Sequence, residues 1–182
     1  MSAIHPVLNP ARVRSDLSRL GRESEQYLST VESFHDDEFD KPSHCEGWNR
    51  AMVIADAEVL TGELKAEEVG IGPKRFPATS IPAVLIAEVV VHHADLDTQW
   101  EVEEADPDSL LNAVTAGVLN LSVKDSPGLT IVTDEGDEWV VGDGSLRVEG
   151  DREGILDWLS RGRTEGIYLP EGVDEAPELP AW

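Results

Sequence analysis

The sequence predicts an α+β protein in two parts, an all-helical N-terminal part followed by a small mixed C-terminal part. Three observations carry that prediction. Up to about residue 100 the apolar residues recur at helical spacing. Beyond residue 128 they come in short alternating runs separated by Gly/Asp turns. Between them the acidic stretch EVEEADPD, residues 101–108, reads as a linker. The expected domains are therefore 1–103 and 104–182, and a chain of 182 residues is long enough for each to bury a core.

Taken in order, Asn9-Pro10 pairs a capping residue with a proline suited to the first helical position. Val13, Leu17, Leu20, Tyr27, Leu28, Val31 and Phe34 then recur as the stripe of a helix of about 25 residues. The turn-rich segment PSHCEGWNR, residues 42–50, leads to a second helix with Asn49 as its cap. That helix is expected to run to about Glu68, with Met52, Val53, Val59 and Leu60 inward. Asp56 falls within the same stripe, an unusual place for a carboxylate. Residues 70–82 are rich in Gly and Pro and show no periodicity, so they are expected to form a connector.

The most apolar run follows, PAVLIAEVVVHHADLDTQW, read as a helix from Pro82 to near Trp100 with Thr79 or Ser80 as its cap. After the linker, Asp108 or Ser109 is expected to cap a helix carrying Leu110, Leu111, Val114, Val118 and Leu119 on one face. Residues 129–133, 138–141 and 145–148 alternate as strands do. Asp134-Glu135-Gly136-Asp137 and Gly142-Asp143-Gly144 supply hairpin turn signals between them. A last amphipathic helix spans Glu153 to about Arg161, and a Pro-rich tail ends the chain.

Composition excludes several function classes. Against 37 acidic residues there are 14 basic ones, a net charge of −23, which argues against nucleic-acid binding. No apolar stretch approaches the roughly 18 residues that cross a bilayer. The N-terminal residues carry no apolar signal region, and a single cysteine, Cys45, rules out an internal disulfide framework. A cytoplasmic location is expected. There is no P-loop, no Gly-rich dinucleotide fingerprint, no Cys-x-x-Cys pair and no nucleophile elbow.

What remains lies in the apolar run. Glu88 and His92 are four residues apart and share one helix face. Burying them requires partners, either a metal ion or an internal Glu–His hydrogen bond. Inward Asp56 would add a second carboxylate, and a divalent cation would resolve the repulsion between the two. Asp95, one turn beyond His92, is placed to orient an imidazole, and His93 points about 100° away as a structural residue. Cys45 has no base at sequence level and reads as structural. Arg161 and Arg163 close the last helix, either as favourable charge at its C-terminus or as a fork for a carboxylate.

Three segments in series resemble the mycothiol-dependent maleylpyruvate isomerases of actinobacteria. PSHCEGWNRAMVIAD resembles that family's Pro-Ser-x-Cys-x-Gly-Trp loop and the helix after it. FPATSIPAVLIAEVVVHHADL resembles its Glu-x-x-x-His-x-x-Asp-Leu helix, and WLSRGRTEGIYLPEGVDEAPELPAW its Trp-Leu-x-Gly-Arg helix end and Leu-Pro-x-Leu-Pro-x-Trp tail. The resemblance implies an N-terminal DinB-like four-helix bundle and a sterol-carrier-like α+β C-terminal domain. It implies a divalent metal, usually zinc, on Glu88, His92 and a second-helix position, and an arginine, Arg163, near a small carboxylate substrate. The activity implied is mycothiol-assisted isomerisation of maleylpyruvate to fumarylpyruvate, or a related thiol transfer.

Two departures stand out. The second-helix ligand position, eight residues after Trp48, is Asp56 where the family has histidine. A site of Asp56, Glu88 and His92 around a divalent ion has formal charge 0 instead of +1, which weakens thiol activation and favours harder metals. The bundle also lacks one helix before the Glu88–His92 helix, so an open face or a homodimer covering it is expected. A non-catalytic binding protein of the same fold and a metal-dependent hydrolase are the alternative readings.

Overall fold

The computed structural model describes residues 13–54, 68–71, 74–77 and 81–182. Asn9-Pro10, Asp56, Val59, Leu60 and the Thr79/Ser80 cap lie outside the described residues. The fold is α+β, a helical part followed by a four-stranded sheet with helices. Two compact units make it up, one built from described residues up to Ala113 and the other from Val114 to Trp182. No helix among the described residues is long and apolar enough to cross a membrane.

In the first unit, helix α1 spans Val13–Glu32. Its apolar periodicity predicted the helix and much of its inward face, since Tyr27 is buried and Leu20, Val31 and Phe34 pack against the same cluster. Leu17 and Leu28 of the stripe are exposed instead, while the charged Asp16, Arg19 and Glu23 are buried. Charges are tolerated inside only when paired, and these are. Arg19 bonds Asp16 and reaches Asp108 at 3.1 Å. Glu23 accepts the backbone N–H of Asp106 at 3.1 Å, and Arg22 pairs with Asp106 at 2.9 Å. The partners are the N-terminal residues of helix α3, described below, so polar groups of α1 complete a helix terminus that has unbonded N–H groups of its own.

Asn49 caps the helical turn at residues 50–54, its Oδ1 accepting the Met52 N–H at 3.0 Å. Val53 of that turn is fully buried, whereas Met52, expected inward, is exposed. Glu68 does not end a helix. It opens strand β1 (Glu68–Ile71), which pairs antiparallel with β2 (Lys74–Pro77). The connector expected over residues 70–82 thus contains a hairpin. Four-residue strands are too short to show alternation, and backbone pairing defines them instead.

Helix α2, Ile81–Asp95, stops five residues before the expected Trp100. The chain turns at Asp97, whose φ of 51° lies in the left-handed region. Helix α3, Pro107–Ser122, begins with Asp106 rather than Asp108 or Ser109 as its cap. The Asp106 carboxylate accepts the Asp108 N–H at 2.9 Å, and Pro107 takes the first helical position. Burial pushes the Asp106 carboxyl up. The Asp108 N–H and the Arg22 guanidinium outweigh that and hold it below the ordinary carboxylate value.

In the second unit, β3 (Leu129–Thr133), β4 (Glu138–Val141), β5 (Leu146–Gly150) and β6 (Ile167–Tyr168) form a sheet of order β4-β3-β5-β6. The first turn signal makes the expected hairpin, β3 antiparallel to β4. The second does not: β5 pairs parallel with β3. Residues 142–145 cross the start of β3 at Gly128, where a Cβ would lie 1.6 Å from Asp143 Oδ1. Glycines at 128 and 142 thus allow one segment to pass over the other, and the Leu146 N–H then bonds the Gly128 carbonyl at 3.1 Å.

Helix α4, Arg152–Arg161, packs Ile155, Leu156, Trp158 and Leu159 into a core with Leu129, Ile131, Val141 and Val148. It starts at Asp151, whose carboxylate accepts the Gly154 N–H at 2.7 Å, and ends at left-handed Gly162. Asp151→Ala is expected to cost about 1 kcal/mol in chemical denaturation, and Asp151→Asn much less, since asparagine keeps the acceptor.

Candidate functional site

Helix α2 is apolar on nearly all sides: Ala83, Leu85, Ile86, Ala87, Val89, Val90 and Val91 are all buried. Such a helix is held inside by burial, and its few polar residues go in with it. Glu88, His92 and Asp95 follow at i, i+4 and i+7, one stripe along the helix. His92 stands between the two carboxylates, its Nε2 at 3.4 Å from Glu88 Oε2 and its Nδ1 at 3.1 Å from Asp95 Oδ2. His92 and Asp95 are 5% and 2% exposed, while the Glu88 side chain keeps 20%.

Burial pulls the His92 imidazole toward its neutral form. Its hydrogen bonds to Asp95 and Glu88, reinforced by their charges, outweigh burial and raise its pKa from 6.5 to about 9. At neutral pH the ring is an imidazolium that donates its Nδ1–H to Asp95 and stands within ion-pair distance of Glu88 on its Nε2 edge.

His93, on another face, has the opposite character. It stacks on Trp100 with ring centroids 3.9 Å apart, meets Tyr27 edge-on at 5.7 Å, and lies 2.7 Å from the Thr30 hydroxyl. Burial lowers its pKa from 6.5 to about 4, so it is a neutral core residue.

The segment 42–49 brings a fourth group. Pro42 and Asn49 bridge, the Ser43 N–H bonds the Trp48 carbonyl at 3.0 Å, and Gly47 takes φ 78°. The His44 N–H bonds the Asp95 carbonyl at 2.9 Å, and Arg50 donates to the Asp97 carbonyl. These bonds seat the loop on the C-terminal end of α2, where the Cys45 thiol donates to Asp95 Oδ2 at 3.1 Å. Ligand atoms of Cys45, His92 and Asp95 lie within 4.8 Å of one another. Cys45 is therefore part of this constellation, which its sequence neighbourhood did not reveal.

Two sets of atoms here are suited to a metal. The edge of a tetrahedron with metal–ligand bonds of 2.0–2.2 Å is about 3.4 Å, and Glu88 Oε2 and His92 Nε2 are 3.4 Å apart. With Asp95 on Nδ1, this is the carboxylate–histidine arrangement in which a second group sets the tautomer and aim of a ligand histidine. The other set is Cys45, Asp95 and the Nδ1 edge of the same ring. Of the other sequence-derived candidates, Asp56 lies outside the described residues. Arg163 belongs to the second unit, where its guanidinium is 3.4 Å from Asp157 and 39% exposed. Arg161 bonds the Ser160 carbonyl at 2.7 Å.

No family model and no curated protein sequence matches the chain. Among solved structures, the chain is similar to the mycothiol-dependent maleylpyruvate isomerase and to a histidine-to-alanine mutant of it. Each superposes with a TM-score of 0.69 at 17% identity, covering 93% of this chain and 97% of that chain. The likeness establishes the two-part α+β fold that these structures share.

Proposed function

We infer that the protein is a metal-dependent, thiol-using isomerase or thiol transferase that acts on a small carboxylate, with mycothiol as the thiol and maleylpyruvate-type compounds as substrates. One observation carries this reading. In a fold shared with a mycothiol-dependent isomerase, His92 is held from behind by Asp95 and faces Glu88 at 3.4 Å, the spacing of two metal ligands. Glu88 and His92 would hold the ion, with Asp56 as the further ligand and zinc as the metal. When bound, that ion supplies a place for a thiol to rest as thiolate, the form that adds reversibly to an activated double bond and so permits rotation about it.

The chain's own residues do the rest. Asp95 accepts a hydrogen bond from Nδ1–H, so the proton given up to solvent on metal binding is the one on Nε2, which becomes the ligand atom. Glu88 remains reachable from solvent while the walls of α2 exclude water from His92. Arg163, half-exposed and only loosely paired with Asp157 at 3.4 Å, is suited to a substrate carboxylate, which two parallel N–H groups would hold more tightly.

The test is metal analysis of protein purified without chelator, with Glu88→Ala and His92→Ala alongside, and isomerisation of maleylpyruvate assayed with added mycothiol. About one ion per chain is expected, with affinity reduced by roughly 10–100-fold or more in either variant. Sub-stoichiometric metal that responds to neither substitution would overturn the reading. A second reading has its own support, because an imidazolium between two carboxylates is already paired without a metal. A non-catalytic binding protein could keep the triad as an internal strut. In that case divalent metal would leave the melting temperature unchanged, whereas a native-state ligand must raise it.

A further inference from the structure

One imidazole with donors on both edges can serve two different cations. On the Nε2 edge stands the oxygen of Glu88, 3.4 Å away. On the Nδ1 edge stand Asp95 Oδ2, 3.1 Å from the ring nitrogen, and Cys45 Sγ, 3.1 Å from the same oxygen. We propose that Cys45, Asp95 and the Nδ1 edge of His92 form a second metal position, selective for a soft divalent cation such as cadmium and mutually exclusive with occupation of the Glu88 edge.

Four features argue for it. The three donor atoms fall within 4.8 Å of one another, a span that side-chain adjustment brings to the coordination sphere of one ion. The loop that carries Cys45 is anchored by backbone bonds, the His44 N–H on the Asp95 carbonyl and the Trp48 N–H on the Cys45 carbonyl at 3.0 Å. The sulfur is thus already in position, and little ordering is needed on binding. Thiolate, imidazole and carboxylate together select soft or borderline ions over magnesium, calcium or manganese, whereas the oxygen-rich Glu88 edge has no such preference. Three protein ligands also leave coordination positions open, and Cys45 is only half-buried, so an ion can reach it.

Binding there displaces the thiol proton and the Nδ1 proton to solvent, and it takes from Asp95 its hydrogen bond to the ring. A thiophilic ion on this edge would therefore disable the Glu88 edge. That consequence rests on the functional reading above, although the second site itself does not.

Cadmium tests it, because cadmium–thiolate bonding gives an ultraviolet charge-transfer band and Cys45 is the chain's one cysteine. Metal-free full-length protein is titrated with cadmium, with Cys45→Ser, Asp95→Asn and Glu88→Gln as variants and melting curves to confirm folding. The band is expected to saturate at one equivalent in the parent. It should vanish in Cys45→Ser, weaken by about 10-fold or more in affinity in Asp95→Asn, and persist in Glu88→Gln. An unchanged affinity in Asp95→Asn would mean a lone thiolate holds the ion and would overturn the site. Cadmium bound without the band and lost in Glu88→Gln would also overturn it, while leaving the Glu88–His92 reading intact. No cadmium binding overturns it as well, and the zinc analysis then judges the functional reading separately.

Discussion

The metal-free protein is expected to be most stable near pH 6.5 and to lose about 3 kcal/mol toward pH 4 and a similar amount toward pH 9, from two adjacent histidines with opposite environments. His92 has its pKa raised from 6.5 to about 9, so its protonation stabilises the fold. That contribution is complete below 6.5, where folded and unfolded chains both hold the proton, and it is lost as pH rises through 9. His93 has its pKa lowered from 6.5 to about 4. Between those values the unfolded chain gains a proton that the folded chain refuses, so stability is lost as pH falls through that window. Denaturant titrations across pH 4–10 in the presence of EDTA measure both arms. His92→Gln should flatten the alkaline arm and His93→Gln the part of the acid arm above pH 5. A profile whose alkaline arm survives His92→Gln would show that the Glu88–His92–Asp95 ion group does not hold the proton.

Removing the Asp95 carboxylate is expected to cost about 3–5 kcal/mol at pH 6.5, the range for breaking a buried ion pair from one side. Asp95 is 2% exposed and serves two donors at once, the His92 ring and the Cys45 thiol, while its own carbonyl anchors the loop at His44. Asp95→Ala leaves a buried imidazolium facing Glu88 alone and a half-buried thiol without its acceptor. Asp95→Asn keeps an acceptor oxygen and the shape, and should cost roughly half as much. The charge component has a signature of its own. Above pH 9 the parent ring is neutral too, so the penalty of Asp95→Ala should shrink by about 2 kcal/mol or more between pH 6.5 and 9.5. An equal loss at both pH values would show that Asp95 acts through packing and hydrogen bonding rather than charge.

Local patterning located most elements. The strands at 129–133, 138–141 and 146–150 and the helix ending at Arg161 follow from alternation and helical periodicity within a few residues. The pairing of β3 with β4 followed as well, but that of β5 did not, because residues 142–145 are as suited to a hairpin as to a crossing. The crossing rests on the close approach of Gly128 to Asp143, a contact between residues that local pattern treats as independent. Helix α1 shows the same limit on its faces. Leu17 and Leu28 fitted its apolar stripe, yet Asp16, Arg19 and Glu23 went inside because the start of α3 supplied their partners.

The candidate site divides along the same line. The line of Glu88, His92 and Asp95 was legible before folding, since residues four and three apart on one helix must share a face whatever surrounds them. So was the burial of the helix, since its flanks are almost wholly apolar. Folding adds that Cys45, 50 residues away, shares the Asp95 oxygen with His92, and that His93 is neutral while its neighbour is charged. Both depend on what surrounds each side chain. A titration state is set by the charges and apolar walls within a few ångströms, and a loop's side chain finds its partner only when the loop is seated.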